Sequence, residues 1–336
     1  MSARSAVRIL VICPAPKGSR LGNRVTALRW KTILGALGHR VTITDGADQP
    51  AAFDRFDVVV ALHARKSSAD VLRARMDSET RPIVVVLTGT DLYRDVSVDA
   101  SARRSLALAD RLVVLHDGGE RAIPREFRHK TRVVPQSAER TKGRRARSHA
   151  HFDVVVVGHL RDEKDPLRTA LAARALASSS RVRVLHAGRA LTEAMATAAE
   201  REMQLNARYR WLGELSPKRT RTLISRAHLL VLTSRIEGGA NVLSEAIVDD
   251  VPVLASCIPS TVGILGRDHP GLFPVGDTRA LTRAIARAER DPVYLARLIA
   301  EGRARRKMVS PARERGALRS LFGELAHPRA RSSSKR

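Results

Sequence analysis

Aromatic residues make up only 3% of this chain, too few to provide stacking platforms along a single-stranded nucleic acid. Cysteine is scarcer still. Cys13 and Cys257 stand one in each half, so a disulfide framework or structural zinc site is excluded by count, and both read as buried, inert thiols. No window reaches the roughly eighteen uninterrupted apolar residues of a membrane-spanning helix. The start, Met1-Ser-Ala-Arg-Ser-Ala-Val-Arg8, runs into a short apolar strand without a cleavage-type segment, so a soluble, non-secreted, cytoplasmic protein is expected. Acidic residues are also in deficit. Against 60 Lys and Arg stand 34 Asp and Glu, giving a net charge of +26 and a sequence pI near 11.5. Such a balance ordinarily points to nucleic acid. Here only nine of the basic residues are lysine, and arginine is spread along the whole chain beside abundant alanine, as in the composition of a GC-rich genome. Clusters occur at Lys142–Arg147, Arg303–Lys307 and the tail Arg329–Arg336; the first sits between the halves and the last is expected to be disordered, so neither lies on a base-reading element. The expectation is non-specific polyanion binding at low salt and no specific nucleic-acid partner.

What the chain does have is alternation. Short β-branched runs and helical patterns follow one another from end to end, which predicts an α/β protein with parallel sheets covered on both faces. The strand candidates are Val7–Cys13, Arg40–Thr44, Asp57–Leu62, Pro82–Leu87, Arg111–Leu115 and Thr131–Val134. The pattern then restarts with Phe152–Val157, Arg181–His186, Tyr209–Leu212, His228–Leu232, Pro252–Ala255 and Gly271–Val275. Helices are expected at Arg24–Leu37, Asp99–Ala109, Asp165–Ala177, Leu191–Met203, Ser216–Arg226, Ala240–Val248 and Thr278–Arg290, with terminal ones at Pro292–Met308 and Pro311–Ala326. At 336 residues the chain exceeds one ordinary core. The expected division is a doubly wound domain at 1–137, a basic linker at 138–151 and a second doubly wound domain at 152–310. A helix at 311–326 would brace the first domain, and a disordered basic tail would follow at 327–336. Facing one another, two such domains would bind ligand beyond the carboxyl ends of their strands.

Ser234-Arg-Ile-Glu-Gly-Gly-Ala-Asn-Val-Leu-Ser-Glu245 lies between two apolar runs and reads as strand, glycine turn and helix. Gly238 and Gly239 would let backbone N–H groups at a helix N-terminus approach a phosphate, where the helix dipole favours an anion. Glu237 and Glu245 frame that turn. Carboxylates repel a diphosphate but accept well from hydroxyls, so the pattern suits a diphosphate with a sugar at each end, a nucleotide sugar. A helix-start acid and a solvated surface acid are the plainer alternatives. After the first strand of the second half, Val157-Gly-His-Leu-Arg-Asp-Glu-Lys-Asp-Pro166 offers Arg161 and Lys164 to the same diphosphate.

These motifs resemble the donor domain of GT-B nucleotide-sugar transferases marked by a Glu-x7-Glu motif. The resemblance implies two Rossmann-like domains facing across a cleft. Lys164 would line the diphosphate, Glu237 contact the donor sugar and Glu245 hold the ribose. His159 departs from the arginine usual there, which makes Arg161 the second cation. Gly238, Gly239, Ala240, Asn241 and Val242 belong to the same implied site, and backbone groups at Gly188, Leu212 and Gly213 to the base.

In the first half, Gly22-Asn-Arg-Val-Thr-Ala-Leu-Arg-Trp30, Ala61-Leu-His-Ala-Arg-Lys66 and Leu87-Thr-Gly-Thr-Asp-Leu-Tyr-Arg-Asp95 all follow strands. Together with Glu237-Gly-Gly-Ala-Asn241 they resemble the selenosugar synthases of selenoneine biosynthesis. That resemblance implies transfer of a sugar, notably N-acetylglucosamine, from a UDP-sugar to selenium of selenophosphate, giving a 1-seleno-sugar. Gly22, Asn23, Arg24, Arg29 and Thr90 would hold the acceptor, with Arg65 and Lys66 beside them, and His63, Asp91 and Glu237 would be catalytic. Many relatives carry His-Gly-x-Asp where this chain has Thr88-Gly-Thr-Asp91, so only the aspartate carries over. A selenium nucleophile is already anionic, so a strong general base is less needed than for an alcohol. With no Asp-x-Asp motif in the nucleotide half, neither metal nor other cofactor is expected. Transfer to an ordinary hydroxyl on a glycan or lipid, and a non-enzymatic polyanion-binding role, are the rival readings.

Overall fold

Twelve parallel strands in two separate sheets organise the chain in a computed structural model that describes residues 6–44, 52–143 and 146–326. The chain divides into two units, Met1–Gln136 with Ala312–Arg336, and Ser137–Pro311. The tail expected at 327–336 and the linker residues Arg144 and Arg145 lie outside the described residues.

In the first unit, β1 (Arg8–Ile12), β2 (Arg40–Ile43), β3 (Val58–Leu62), β4 (Ile83–Val86), β5 (Arg111–Val114) and β6 (Thr131–Val133) form a sheet of order β2-β1-β3-β4-β5-β6. Every residue of β3 and β4 is buried, as continuous β-branched runs require when both faces of a parallel sheet are covered. Side chains alternate between faces. Ile9 and Val11 join Trp30 and Leu34 of α1 (Gly22–Ala36), whereas Leu10 and Ile12 join Val71 and Ala74 of α2 (Ser68–Asp77). The short α3 (Val96–Val98) leads into α4 (Ala100–Leu108), which starts where Asp99 accepts from the Ala102 N–H at 2.9 Å.

The second unit repeats the plan with β7 (Phe152–Val157), β8 (Val182–Ala187), β9 (Tyr209–Trp211), β10 (Leu229–Leu232), β11 (Val253–Ser256) and β12 (Leu272–Phe273), in the order β12-β11-β10-β7-β8-β9. Its helices are α5 (Arg168–Arg174), α6 (Glu193–Leu205), α7 (Pro217–Arg226), α8 (Asn241–Val248), α9 (Pro259–Leu265), α10 (Thr278–Arg290) and α11 (Pro292–Arg305). Thr192, Ser216, Asp277 and Asp291 cap four of them by accepting first-turn N–H groups. One expected element differs. Instead of a single helix at 165–177 there is a 3₁₀ turn at Asp162–Lys164, then Asp165 in the left-handed region at φ 45°, and α5 begins only at Arg168. Pro166 disfavours helical backbone at the residue before it, which breaks the segment there.

The last helix, α12 (Pro311–Ala326), carries Leu318, Leu321, Phe322 and Leu325 on one stripe, and these join the core formed by Ile9, Trp30 and Leu34. Its Glu314 is fully buried and accepts from Arg29 Nε at 3.0 Å and Trp30 Nε1 at 3.2 Å.

Strand order decides where ligands can bind. In the first sheet successive connections diverge between β1 and β3, in the second between β7 and β10. A crevice opens at the carboxyl ends of the strands at each such switch point.

Candidate active site

Lys164 follows β7 and Glu237 follows β10, so the two flank the switch point of the second sheet, and there they form an ion pair. Glu237 is almost wholly buried and also accepts from Ser234 Oγ at 2.7 Å. The two loops are fastened to each other. Arg235 N–H donates to Glu163 O at 2.8 Å, and Thr233 Oγ1 contacts the carbonyls of Lys164 and Asp165 at 3.0 Å each. These bonds, with Arg168 Nε on the Asp165 carboxylate at 2.9 Å, hold Asp165 in its left-handed conformation and so fix the turn that presents Lys164. Ser256 Oγ of β11 supports the other loop by donating to Ser234 O at 2.5 Å.

Gly238, Gly239 and Ala240 are buried, and Ala240 itself adopts φ 43° as N-cap of α8 without offering a side-chain cap. First-turn amides of a helix lacking that cap suit an anion. Farther along α8, Glu245 lies 3.8 Å from Arg221 Nη1, and Arg221 is held by Asp249 at 2.9 Å and Thr141 Oγ1 at 3.0 Å.

The neighbouring strand ends are locked. A Cβ on Gly188 would lie 1.8 Å from Gly158 O, so only glycine lets the β7 and β8 loops close together. Gly188 N–H donates to Gly213 O at 2.8 Å, and Trp211 Nε1 donates to Gly188 O at 2.7 Å. His159 Nδ1 accepts from Arg189 N–H at 3.2 Å. Arg161 lies 3.9 Å from Glu163 and is substantially exposed.

In the first unit, His63 ends β3 at that sheet's switch point, buried and left-handed at φ 72°. Lys66 N–H donates to its Nδ1 at 3.4 Å, which assigns the proton to Nε2, 3.1 Å from Thr90 Oγ1. Burial holds the imidazole below its ordinary pKa, against the pull of Asp91 at 3.9 Å and Asp95 at 4.0 Å. Asp91 is completely buried and opens a π-helical turn at Asp91–Asp95, a rare conformation frequent at functional sites. Its carboxylate accepts from the N–H groups of Ala64 (2.9 Å), Thr88 (2.8 Å) and Gly89 (2.9 Å), tying the β3 and β4 loops together. Burial would raise Asp95, but hydrogen bonds from Arg65 and Arg94 win and keep its carboxyl below the usual range. Tyr93 OH meets His116 Nε2 at 2.6 Å beyond β5.

The model of the family described as glycosyl transferases group 1 matches residues 138–305, half of the chain. The chain belongs to that family. It is similar to a glycosyltransferase 1 domain-containing protein 1 of Xenopus tropicalis, 25% identical over 280 residues that cover 75% of this chain and 79% of the relative. Among solved structures it resembles sucrose-phosphate synthase from Thermosynechococcus elongatus, with a TM-score of 0.76, 16% identity and coverage of 95% and 99% of the two chains. HepE of Anabaena in complex with UDP-glucose gives 0.75 at 15% identity, covering 95% and 100%. These likenesses show the GT-B fold.

In this group 1 glycosyltransferase, the residues expected from sequence separate into groups. Lys164, Glu237, Gly238, Gly239, Ala240, Asn241 and Val242 gather at the β7/β10 crevice, with Glu245 further along α8. His63, Thr90 and Asp91 gather where the loops after β3 and β4 of the first sheet meet. Arg24 and Arg29 do not join them as exposed cations. Arg24 is buried with Nη1 on Thr44 O at 2.9 Å, and Arg29 is drawn onto Glu314. Gly22 and Asn23 open α1, where Leu21 supplies no side-chain cap. Sequence reasoning missed Ser234, Arg221, Asp95 and His116. Ser234 three residues before Glu237 was the available signal; Arg221 had none, since its acidic partners lie 24 and 28 residues away and Thr141 lies 80 away. Among the described residues no helix is long and apolar enough to cross a membrane.

Proposed function

We propose that the enzyme transfers N-acetylglucosamine from its UDP ester to the selenium of selenophosphate. The donor half of this reading rests on one observation: Lys164 and Glu237, 73 residues apart, pair at the β7/β10 crevice beside the start of α8. A lysine that meets the diphosphate would free Glu237 to accept from sugar hydroxyls, while the α8 amides stabilise charge on the departing UDP. Glu245, steadied by Arg221, would accept from the ribose diol. HepE, of the same fold, binds UDP-glucose, which favours a UDP donor.

The acceptor half rests on the resemblance of the first-unit loops to selenosugar synthases. Arg65 and Lys66, both exposed and next to His63, are the cations this reading requires; Arg65 also pairs with Asp95 at 2.8 Å, whereas Arg24 is buried on Thr44 O and Arg29 is drawn onto the buried Glu314. Selenium would bond to the anomeric carbon as the C1–O bond to UDP breaks, and UDP would leave with the electron pair. Release of the phosphoryl group to water leaves the 1-seleno-sugar. Incubation with UDP-N-acetylglucosamine and selenophosphate, beside thiophosphate and phosphate controls, is expected to yield UDP and a selenium-bearing sugar by mass detection. UDP release without selenium in the sugar would overturn the acceptor assignment and leave the donor site standing.

A further inference from the structure

Arginines some 160 residues apart in sequence, Arg140 in the linker and Arg303 and Arg306 at and just after the end of α11, come together on a single carboxylate. The backbone brings them there: Ala138 N–H donates to Val309 O at 3.2 Å, which lays the linker beside the turn after α11. Asp250, just past α8, accepts from Arg140 Nη2 at 2.8 Å, Arg303 Nε at 2.7 Å and Arg306 Nη2 at 2.5 Å, and its carbonyl faces Arg147 Nη2 at 3.4 Å. Neighbouring Asp249 does not relieve the imbalance, because Arg221 and Thr141 already occupy it. Three guanidinium groups on one carboxylate, with a fourth at the same residue's carbonyl, leave a dense positive surplus.

Asp250 stands at a helix C-terminus, where the dipole disfavours an acid, and in the left-handed region at φ 58°, where glycine or asparagine is usual. A carboxylate there serves to gather the arginines. It does not saturate them. Arg303 reaches the carboxylate through Nε alone and is 60% exposed, and Arg140 is 65% exposed. Arg306 Nε is buried without a hydrogen-bond partner among the described residues. Arginine forks match phosphate oxygens bidentately.

We propose that this hub binds a compact, soluble, multivalent phosphate anion, bridged between Arg140, Arg303 and Arg306. A lipid surface fits less well. The exposed large apolar side chains of the unit, such as Leu205 and Val293, lie on neither the linker nor the turn after α11, so no apolar anchor accompanies the charge.

Calorimetric titration of the full chain with tripolyphosphate, in excess UDP to occupy the donor crevice, should show one strong site. Arg303→Gln with Arg306→Gln is expected to weaken it by about tenfold or more, the worth of a lost charge-assisted hydrogen bond. Arg283→Gln with Arg290→Gln removes the same charge from exposed positions on α10 and should leave affinity within about twofold. Arg140→Gln, on a largely exposed side chain, gives the same reading if the Arg303/Arg306 pair fails to fold. Equal losses in the two pairs, or none in either, would overturn the proposal. So would hub-dependent binding to phosphatidylcholine vesicles carrying phosphatidylserine without binding of tripolyphosphate.

Discussion

Glu237 and Glu245 differ in what surrounds them, and their chemistry differs accordingly. Glu237 is buried and shared between Lys164 and Ser234, so a ligand that takes the lysine alters the hydrogen-bonding capacity of the acid. Glu245 is a quarter exposed and stands beside an arginine anchored elsewhere. Glu245→Ala is expected to weaken UDP-sugar binding by about ten- to a hundredfold, the range for hydrogen bonds to a charged group. Titration calorimetry checks it, and unchanged affinity would remove the ribose role. Glu237 and Lys164 were legible because glycine turns and strand ends announce themselves locally. The destinations of Arg24 and Arg29 were not, since Thr44 and Glu314 are brought to them only by tertiary folding, Glu314 from 285 residues away.

At the level of elements, His186 joins three strand ends. On β8 and fully buried, it meets Gly158 O beyond β7 at 3.1 Å through Nε2 and Tyr209 OH of β9 at 3.0 Å through Nδ1. Burial pushes its pKa down to about 4, against the hydrogen bond to Gly158. The unfolded chain, at about 6.5, takes up the proton first, so this contribution is complete above that pH and is lost as pH falls toward 4. The loss amounts to about 3 kcal/mol. Urea denaturation across that window should show a flatter pH profile for His186→Gln than for the parent; parallel profiles would refute the assignment. Most elements were readable as apolar runs and amphipathic stretches, Thr278–Arg290 among them. Three helices were not, one of them the single turn α3 (Val96–Val98). Ser68–Asp77 is short and polar, and Pro259–Leu265 carries glycine and β-branched residues poorly suited to helix. The π turn at Asp91 is tied to the Ala64 N–H, 27 residues away, which no local pattern reveals.

Across the whole molecule, the first unit is built from both ends of the chain. Leu321 is buried against residues of that unit's core, and Leu321→Ala is expected to cost about 2–5 kcal/mol. Chemical denaturation would detect it, and a change below about 1 kcal/mol would show that α12 contributes little to that core. The same arrangement sets an order of events during synthesis. At about 5–20 residues per second, the ribosome needs on the order of ten to thirty seconds to make the roughly 175 residues of the second unit, throughout which the first lacks its final helix. The domain translated first is therefore the one completed last, with the apolar surface around Trp30 and Leu34 lacking its α12 cover until that helix emerges.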